Sequence, residues 1–225
     1  MSNELLGTDY RAGAVDLLGI LAYGALTAFE RLAEDARTAP TLQDKVMIAS
    51  LAAVQYQHFA SIRERLYDLD SDVMEAMEPF HAPFDVYHDF TRPKNWLQGL
   101  VKTYVGEGLA ADFYREVAAF VDPQTRDLVY EVLADESAGD YIVGRVRQAI
   151  AEGEYVGGPL ALWGRRLVGE AISQAQKVAG EREALTSLLS GTVDRPGMDL
   201  AAISRMFSRL VENHALRMER LGLQS

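Results

Sequence analysis

The stretch AVQYQHFASIRERL (residues 53–66) continues an apolar run that has the spacing of an α-helix. Six residues in and just before it recur every three or four positions and therefore share one helix face: Ile48, Leu51, Gln55, His58, Ile62 and Leu66. Lys45, Arg63 and Arg65 lie off that face, so we expect it to be buried. A buried face that carries Gln55 and His58 must supply hydrogen-bond partners or a ligand, because unpaired burial of polar groups is costly.

The composition is that of an ordinary globular protein and excludes several functional classes. The chain has 225 residues, 48% of them hydrophobic, and a net charge of −11 that disfavours DNA binding. It contains no cysteine, which rules out disulfides and thiolate metal sites. The run AVDLLGILAYGALTAF (14–29) contains Asp16 and is short for a membrane span, so we interpret it as a core helix. We expect a cytoplasmic protein without a membrane segment.

Periodicity predicts six helices and no sheet. They cover about 10–36, 41–68, 95–120, 122–150, 159–180 (with an extension over 182–189) and 199–221. Thr41 is predicted to cap the second helix with Asp44, and Asp122 followed by Pro123 marks the start of the fourth. The segment EPFHAPFDVYHDFTRPKN (78–95) contains three prolines, and we expect it to be an irregular connection.

The order of loop lengths predicts how the helices are arranged. The link between helices two and three is long, whereas the links before and after it are short, as in bundles whose chain crosses over between two parallel helices. The sequence therefore predicts an all-α, ferritin-like four-helix bundle with a long crossover over about 10–150. Two further C-terminal helices, over about 159–222, are expected to pack alongside it. We expect residues 1–225 to form a single domain.

Polar residues interrupt the apolar faces of four predicted helices. Asp135 stands on a line with Leu128, Val132, Gly139, Ile142 and Val146, Glu107 faces inward on helix three, and Glu30 lies at the edge of helix one. Ferritin-like di-metal sites use one Glu from each of two helices and Glu-x-x-His from each of the other two. The candidate metal ligands are thus His58, Asp135, Glu107 and Glu30. A buried hydrogen-bond network, a single divalent metal and a dinuclear centre all remain open.

Four segments resemble a known family: YGALTAFERLAEDARTAPT (23–41), VKTYVGEGLAADFYREVAAF (101–120), EVLADESAGDYIV (131–143) and LALWGRRLVGEAISQAQKVA (160–179). They are similar to actinobacterial ferritin-like proteins related to the di-iron hydroxylase of 2-methylthio-N6-isopentenyl-adenosine in tRNA. The resemblance implies Glu, Glu-x-x-His, an acid and Asp-x-x-His at the metal. This chain has Ala25, Gln55 with His58, Glu107, and Asp135 with Ala138 at those positions, so three of the six ligands are altered.

The altered positions lead to an expectation about function. We expect a ferritin-like protein with a degenerate metal site and a non-catalytic, structural or interaction role, as a homodimer or with a protein partner. No cofactor is expected, although bound iron is the open exception. The alternative is an active di-iron, O2-dependent hydroxylase acting on a modified tRNA base. That activity requires a basic surface, for which the last helix offers Arg205, Arg209, Arg217 and Arg220.

Overall fold

A computed structural model describes residues 8–134, 137–153, 155–192 and 195–224. Within those ranges the helices are α1 (Thr8–Thr38), α2 (Leu42–Asp68), α3 (Val73–Phe90), α4 (Trp96–Ala118), α5 (Pro123–Val132), α6 (Ser137–Glu152), α7 (Gly157–Glu181), α8 (Glu183–Ser190) and α9 (Leu200–Arg220). Two short strands, β1 (Gly191–Thr192) and β2 (Arg195–Pro196), pair antiparallel between α8 and α9. The prediction of an all-helical fold is confirmed.

The helices α1 and α2 form an antiparallel pair joined by a short turn, and this pair is the most extensive helix contact of the bundle. Thr41 begins α2 as predicted: its Oγ1 accepts a hydrogen bond from the Asp44 N–H at 3.1 Å and donates one to the Asp44 carboxylate at 2.7 Å. By length and composition the segment Arg11–Thr38 could cross a membrane. However, 61% of its most apolar window is buried against the rest of the protein, as in a core helix.

The proline-rich connection is largely helical, so the prediction of an irregular link over 78–95 was wrong. Asp72 caps α3 by accepting hydrogen bonds from the Met74 and Glu75 N–H groups at 2.8 and 3.0 Å. Pro79 and Pro83 lie inside the helix. Proline normally disfavours a helix interior. Here the burial of an apolar helix face outweighs that cost, since the side chains that recur at helical spacing are buried: Val73, Ala76, Met77 and Phe80.

The predicted fourth helix, over 122–150, is divided into two. Asp122 accepts a hydrogen bond from the Thr125 N–H at 2.9 Å, and Pro123 occupies the first turn, so the predicted start of this helix is confirmed. Helix α5 nevertheless ends at Val132, and α6 begins at Ser137. The Asp122 carboxylate also accepts a bond from the buried Arg65 guanidinium at 3.0 Å, which ties α5 to α2.

The buried apolar side chains form two clusters at opposite ends of the bundle. One joins the first half of α1 to the second half of α2, with α3, the end of α4 and α8. The other joins the second half of α1 to the first half of α2, with α4, α6, α7 and the end of α9. In the first cluster α1 approaches α3 closely at Gly19, where a Cβ would lie 2.8 Å from the carbonyl carbon of Ala76.

Helices α2 and α9 end in the same hydrogen-bonded motif. The Ser71 N–H bonds to the Leu66 carbonyl at 3.0 Å, and the Leu223 N–H makes the equivalent bond at the end of α9 at 2.9 Å. The residue that precedes each of these N–H groups has a positive φ, 50° at Asp70 and 77° at Gly222. Glycine adopts this conformation without strain, whereas in a residue with a side chain it costs conformational energy.

Candidate functional site

A cavity of about 1450 Å³ lies between the two core clusters. Helices α1, α2, α3, α4 and α7 all contribute to its wall, together with parts of α8 and α9. Many of the lining residues are small or apolar, among them Gly24, Ala25, Ala28, Gly106 and Ala110. Small side chains on facing helices leave this space open. The cavity exceeds a typical ligand pocket, whose volume is about 300–1,000 Å³.

The central wall of the cavity brings together residues that the sequence singled out. Gln55, His58 and Glu107 line it with Ala25, which is 6% exposed. The Gln55 side-chain amide donates a hydrogen bond to the Glu107 carboxylate at 3.2 Å, and both residues are partly buried. His58 is also partly buried. The face of α2 predicted from periodicity therefore does carry Gln55 and His58 towards the interior.

The other candidate ligands are placed differently. Glu30 is exposed and does not line the cavity. Asp135 lies outside the described residues, and so does the side chain of Ala138, although both positions were predicted from the register of helix four. The sequence also predicts that His58 lies within hydrogen-bond reach of a carboxylate, either Asp135 or Glu107, and this stays a prediction.

The side chains at the central wall fit a di-iron centre poorly. Such a centre takes four carboxylates and two histidines. Among residues 8–134, 137–153, 155–192 and 195–224, no group of three or more His, Asp or Glu side chains is positioned to hold a metal ion. Where the resemblance implies a bridging carboxylate, Gln55 offers an amide whose N–H group points at Glu107, and Ala25 offers no ligand atom.

A second polar group lines the same cavity nearer to the start of α4. Lys102 is 9% exposed, and its Nζ donates a hydrogen bond to the Thr91 carbonyl at 2.8 Å. It lies 5.2 Å from the centre of the Tyr87 ring. The Asp35 carboxylate comes from α1 and occupies the space beside Gly99, where a Cβ would be 2.9 Å from both of its oxygens. Gly99 and Lys102 share one face of α4, so both groups meet at one place.

The surroundings shift the pKa values of these groups towards neutrality. Burial, with the nearby Arg31 charge, lowers the pKa of Lys102 to about 7. Burial, with the nearby Glu34 charge, raises the pKa of Asp35 to about 6. Burial and the Lys102 charge lower the pKa of His88 to about 3, and neither ring nitrogen of His88 has a hydrogen-bond partner. Perturbed titratable groups that line a cavity are typical of functional sites.

The sequence analysis missed this second group. Its members Asp35, His88 and Lys102 come from α1, α3 and α4, and the packing of these three helices brings them together. One signal was present: Lys102 stands three residues before Val105 and seven before Leu109, both buried, so it interrupts an apolar line as Gln55 does. His88 lay in the segment that was expected to be irregular.

The arginines of α9 are mostly paired. Arg209 donates to Glu116 at 2.7 Å, Arg217 pairs with Asp112, and Arg220 lies 2.5 Å from Asp140. Arg205 is exposed. A phosphate backbone would have to displace carboxylates from three of the four side chains that the tRNA alternative requires.

Comparison with solved structures gives the same fold. The chain is similar to "Protein 19 with aldehyde deformylating oxidase activity" from Synechococcus, with a TM-score of 0.67 and 20% sequence identity. The alignment covers 96% of this chain and 97% of the other, so the likeness extends over the whole bundle. At this identity it establishes the fold alone. No curated protein matches the chain in sequence.

A family model for the ferritin-like domain of actinomycetes matches residues 8–192, which is most of the chain. The matched range includes α3, the central wall of the cavity and the second polar group. The ferritin-like fold predicted from the loop lengths is therefore confirmed. The protein belongs to the family of actinomycete ferritin-like domain proteins.

Proposed function

We propose that this protein is a non-catalytic ferritin-like protein whose central metal site is degenerate. Its role is then one of binding, as a homodimer or with a protein partner in the cytoplasm. The bundle retains the arrangement of helices that holds iron elsewhere in the superfamily, but the ligand set of this chain is depleted at Ala25, Gln55 and Ala138.

The observation that carries the proposal is the hydrogen bond from Gln55 to Glu107, at 3.2 Å. A bridging carboxylate presents two lone-pair oxygens to two metals, whereas an amide presents one oxygen and one NH2 group. The Gln55 amide nitrogen faces the Glu107 carboxylate and donates to it, where two carboxylates would need a cation between them. This supports a metal-free polar network at the centre.

Two enzymatic alternatives share one requirement. A di-iron oxidase, such as the activity in the name of the Synechococcus structure, needs a loaded centre, and so does a hydroxylase of modified tRNA. The paired arginines of α9 disfavour the tRNA alternative further. Iron content measured after expression in iron-supplemented cells tests the proposal and both alternatives. We expect substoichiometric iron, and a full di-iron complement would contradict the proposal.

Restoring the missing ligands gives a stronger test. The triple variant Ala25→Glu, Gln55→Glu and Ala138→His supplies the four-carboxylate, two-histidine set that the family pattern implies. We expect ferrous iron to raise its melting temperature, because a ligand that binds only the folded state stabilises it. The parent should gain little. Ala25→Gln with Ala138→Asn is the matched control, since it adds similar bulk without the charges.

The single variant Gln55→Glu separates charge from shape. Without metal it replaces a donated hydrogen bond by two carboxylates at close range, so we expect a loss of about 1–3 kcal/mol at neutral pH. The loss should shrink in acid, where one carboxylate is protonated. For the triple variant, the proposal is contradicted if iron does not raise its melting temperature, or if iron raises that of the parent equally. The pocket would then have another origin.

A further inference from the structure

Lys102 lies apart from the central wall that carries Gln55, His58 and Glu107. Lys102 stands five residues before Glu107, which is about 7.5 Å along α4. Its amine is held in place by the Thr91 carbonyl at 2.8 Å and lies beside the largely apolar interior of the cavity. No carboxylate of the described residues pairs with this lysine, so its burial costs stability, and a buried amine is a nucleophile when it is neutral.

We propose that Lys102 is a reactive amine that forms an imine with a long-chain aldehyde taken up by the cavity. Asp35 exchanges the protons of this reaction.

The charges around Lys102 favour a neutral carbonyl compound over an anion. Arg31 pairs with Glu34 at 3.7 Å, and Arg92 pairs with Asp89 at 3.1 Å. Asp35 adds a carboxylate whose charge acts on Lys102. The described charges that act on Lys102 thus leave no surplus of positive charge for a carboxylate or phosphate ligand, whereas an uncharged carbonyl group needs none.

The shape of the cavity favours a long apolar chain. From Arg31 to Leu21 the wall formed by α1 extends about 15 Å, and both residues line the cavity. Between them Gly24, Ala25 and Ala28 present little side chain. An alkyl chain laid along this wall would bury its methylenes, each worth about 0.8 kcal/mol.

The chemistry balances without a further reagent. The neutral Nζ of Lys102 attacks the aldehyde carbon, the carbonyl π electrons pass to oxygen, and a carbinolamine forms. Asp35 in its acid form gives a proton to the hydroxyl group, water leaves, and the C=N bond closes. The proton released from nitrogen returns to Asp35, so the net change is aldehyde plus amine to imine plus water. A pKa of about 7 for Lys102 supplies neutral amine at neutral pH, and one of about 6 for Asp35 supplies some acid.

Borohydride trapping tests the proposal directly. The intact protein is incubated at pH 7 with dodecanal and sodium cyanoborohydride, and the labelled amines are mapped by peptide mass spectrometry. Two exposed lysines that do not line the cavity, Lys45 and Lys177, serve as internal comparisons. We expect Lys102 to be labelled at least about 10-fold faster than either of them, because a buried lysine of lowered pKa has far more neutral amine than one in water. The N-terminal α-amine is resolved as a separate peptide.

Variants and a short aldehyde distinguish site chemistry from general reactivity. Lys102→Met should abolish the selective label, and Lys45→Met, outside the cavity, should leave it unchanged; circular dichroism checks that each variant folds. Gly99→Ala retains the lysine but pushes the Asp35 carboxylate away, so labelling should slow by at least about 10-fold. Labelling by propanal, which is too short to fill the cavity, should show no preference for Lys102. If dodecanal labels Lys102 no faster than the exposed lysines, or if propanal shows the same preference, the proposal is wrong.

Discussion

Replacing Gly19 by alanine tests the closest helix contact of the fold. The added Cβ would lie 2.8 Å from the Ala76 carbonyl carbon, nearer still to its oxygen, and 3.2 Å from the Phe80 ring. Carbon atoms pack at about 3.5–4.0 Å, so α1 and α3 must separate by about 0.7 Å or more. The obstacle is backbone, which cannot rotate away as a side chain can.

The expected loss of stability follows from two opposing effects. Overpacking costs about 1–3 kcal/mol, and the upper end applies here because Phe80 is fully buried beside the contact. Alanine recovers up to about 1 kcal/mol of helix propensity relative to glycine. We therefore expect a net loss of about 2 kcal/mol in urea unfolding, with a melting temperature about 4–8 °C lower for a chain of this size.

Gly169→Ala on α7 is the matched control. It lies inside a helix, is exposed, and a Cβ there meets nothing within 4 Å. It should gain up to about 1 kcal/mol from helix propensity alone. If Gly19→Ala is as stable as the parent, or follows the control, α3 does not pack against α1 in the way described.

Three further predictions concern helix caps, a buried histidine and an ion pair. Asp70→Gly should stabilise the protein by about 0.5–1 kcal/mol in urea unfolding, and Gly222→Ala should destabilise it by at least as much, because both positions have positive φ; equal effects of one sign would contradict the shared motif. Burial lowers the pKa of His214 from its usual 6.5 to about 4, so the unfolded chain binds the extra proton first and stability should fall by about 3 kcal/mol as the pH drops from 6.5 to 4. The stability of His214→Leu should not show that loss; a variant with the parent's pH dependence would refute the assignment. Arg65→Met should cost about 3 kcal/mol by leaving the Asp122 carboxylate without its partner at 3.0 Å, and adding Asp122→Asn should recover part of that loss; a double variant as unstable as the sum of the two single changes would argue against the pair.

Most helix boundaries could be predicted because local chemistry sets them. Thr41, Asp122 and Asp199 each cap a helix by accepting an N–H bond three residues on, and each was a predicted start. Helix α3 was missed because proline was given more weight than an apolar face that repeats at helical spacing. The break between α5 and α6 was missed because the residues from Leu128 to Val146 keep helical spacing, which predicts one continuous helix.

The central wall of the cavity was predictable and the second polar group was not. Gln55 and Glu107 each interrupt a face of one helix, so periodicity alone exposes them. Asp35 and Lys102 become a group only when α1 and α4 pack around Gly99, and Lys102 looked like one charge among many. A contact between a glycine and an acidic side chain from another helix leaves no pattern in the sequence, because the two residues are close only in the folded protein.

The division of the apolar core into two clusters has a consequence for local opening of the chain. The clusters are joined mainly by the backbones of α1, α2 and α4, with the cavity between them. Amide hydrogens at the two ends should therefore exchange with deuterium in two separate cooperative units, each with its own free energy of opening. Residues beside the cavity, such as Gly24 and Gly106, should exchange fastest among the central turns of these helices, so the protein can admit a guest without unfolding either end.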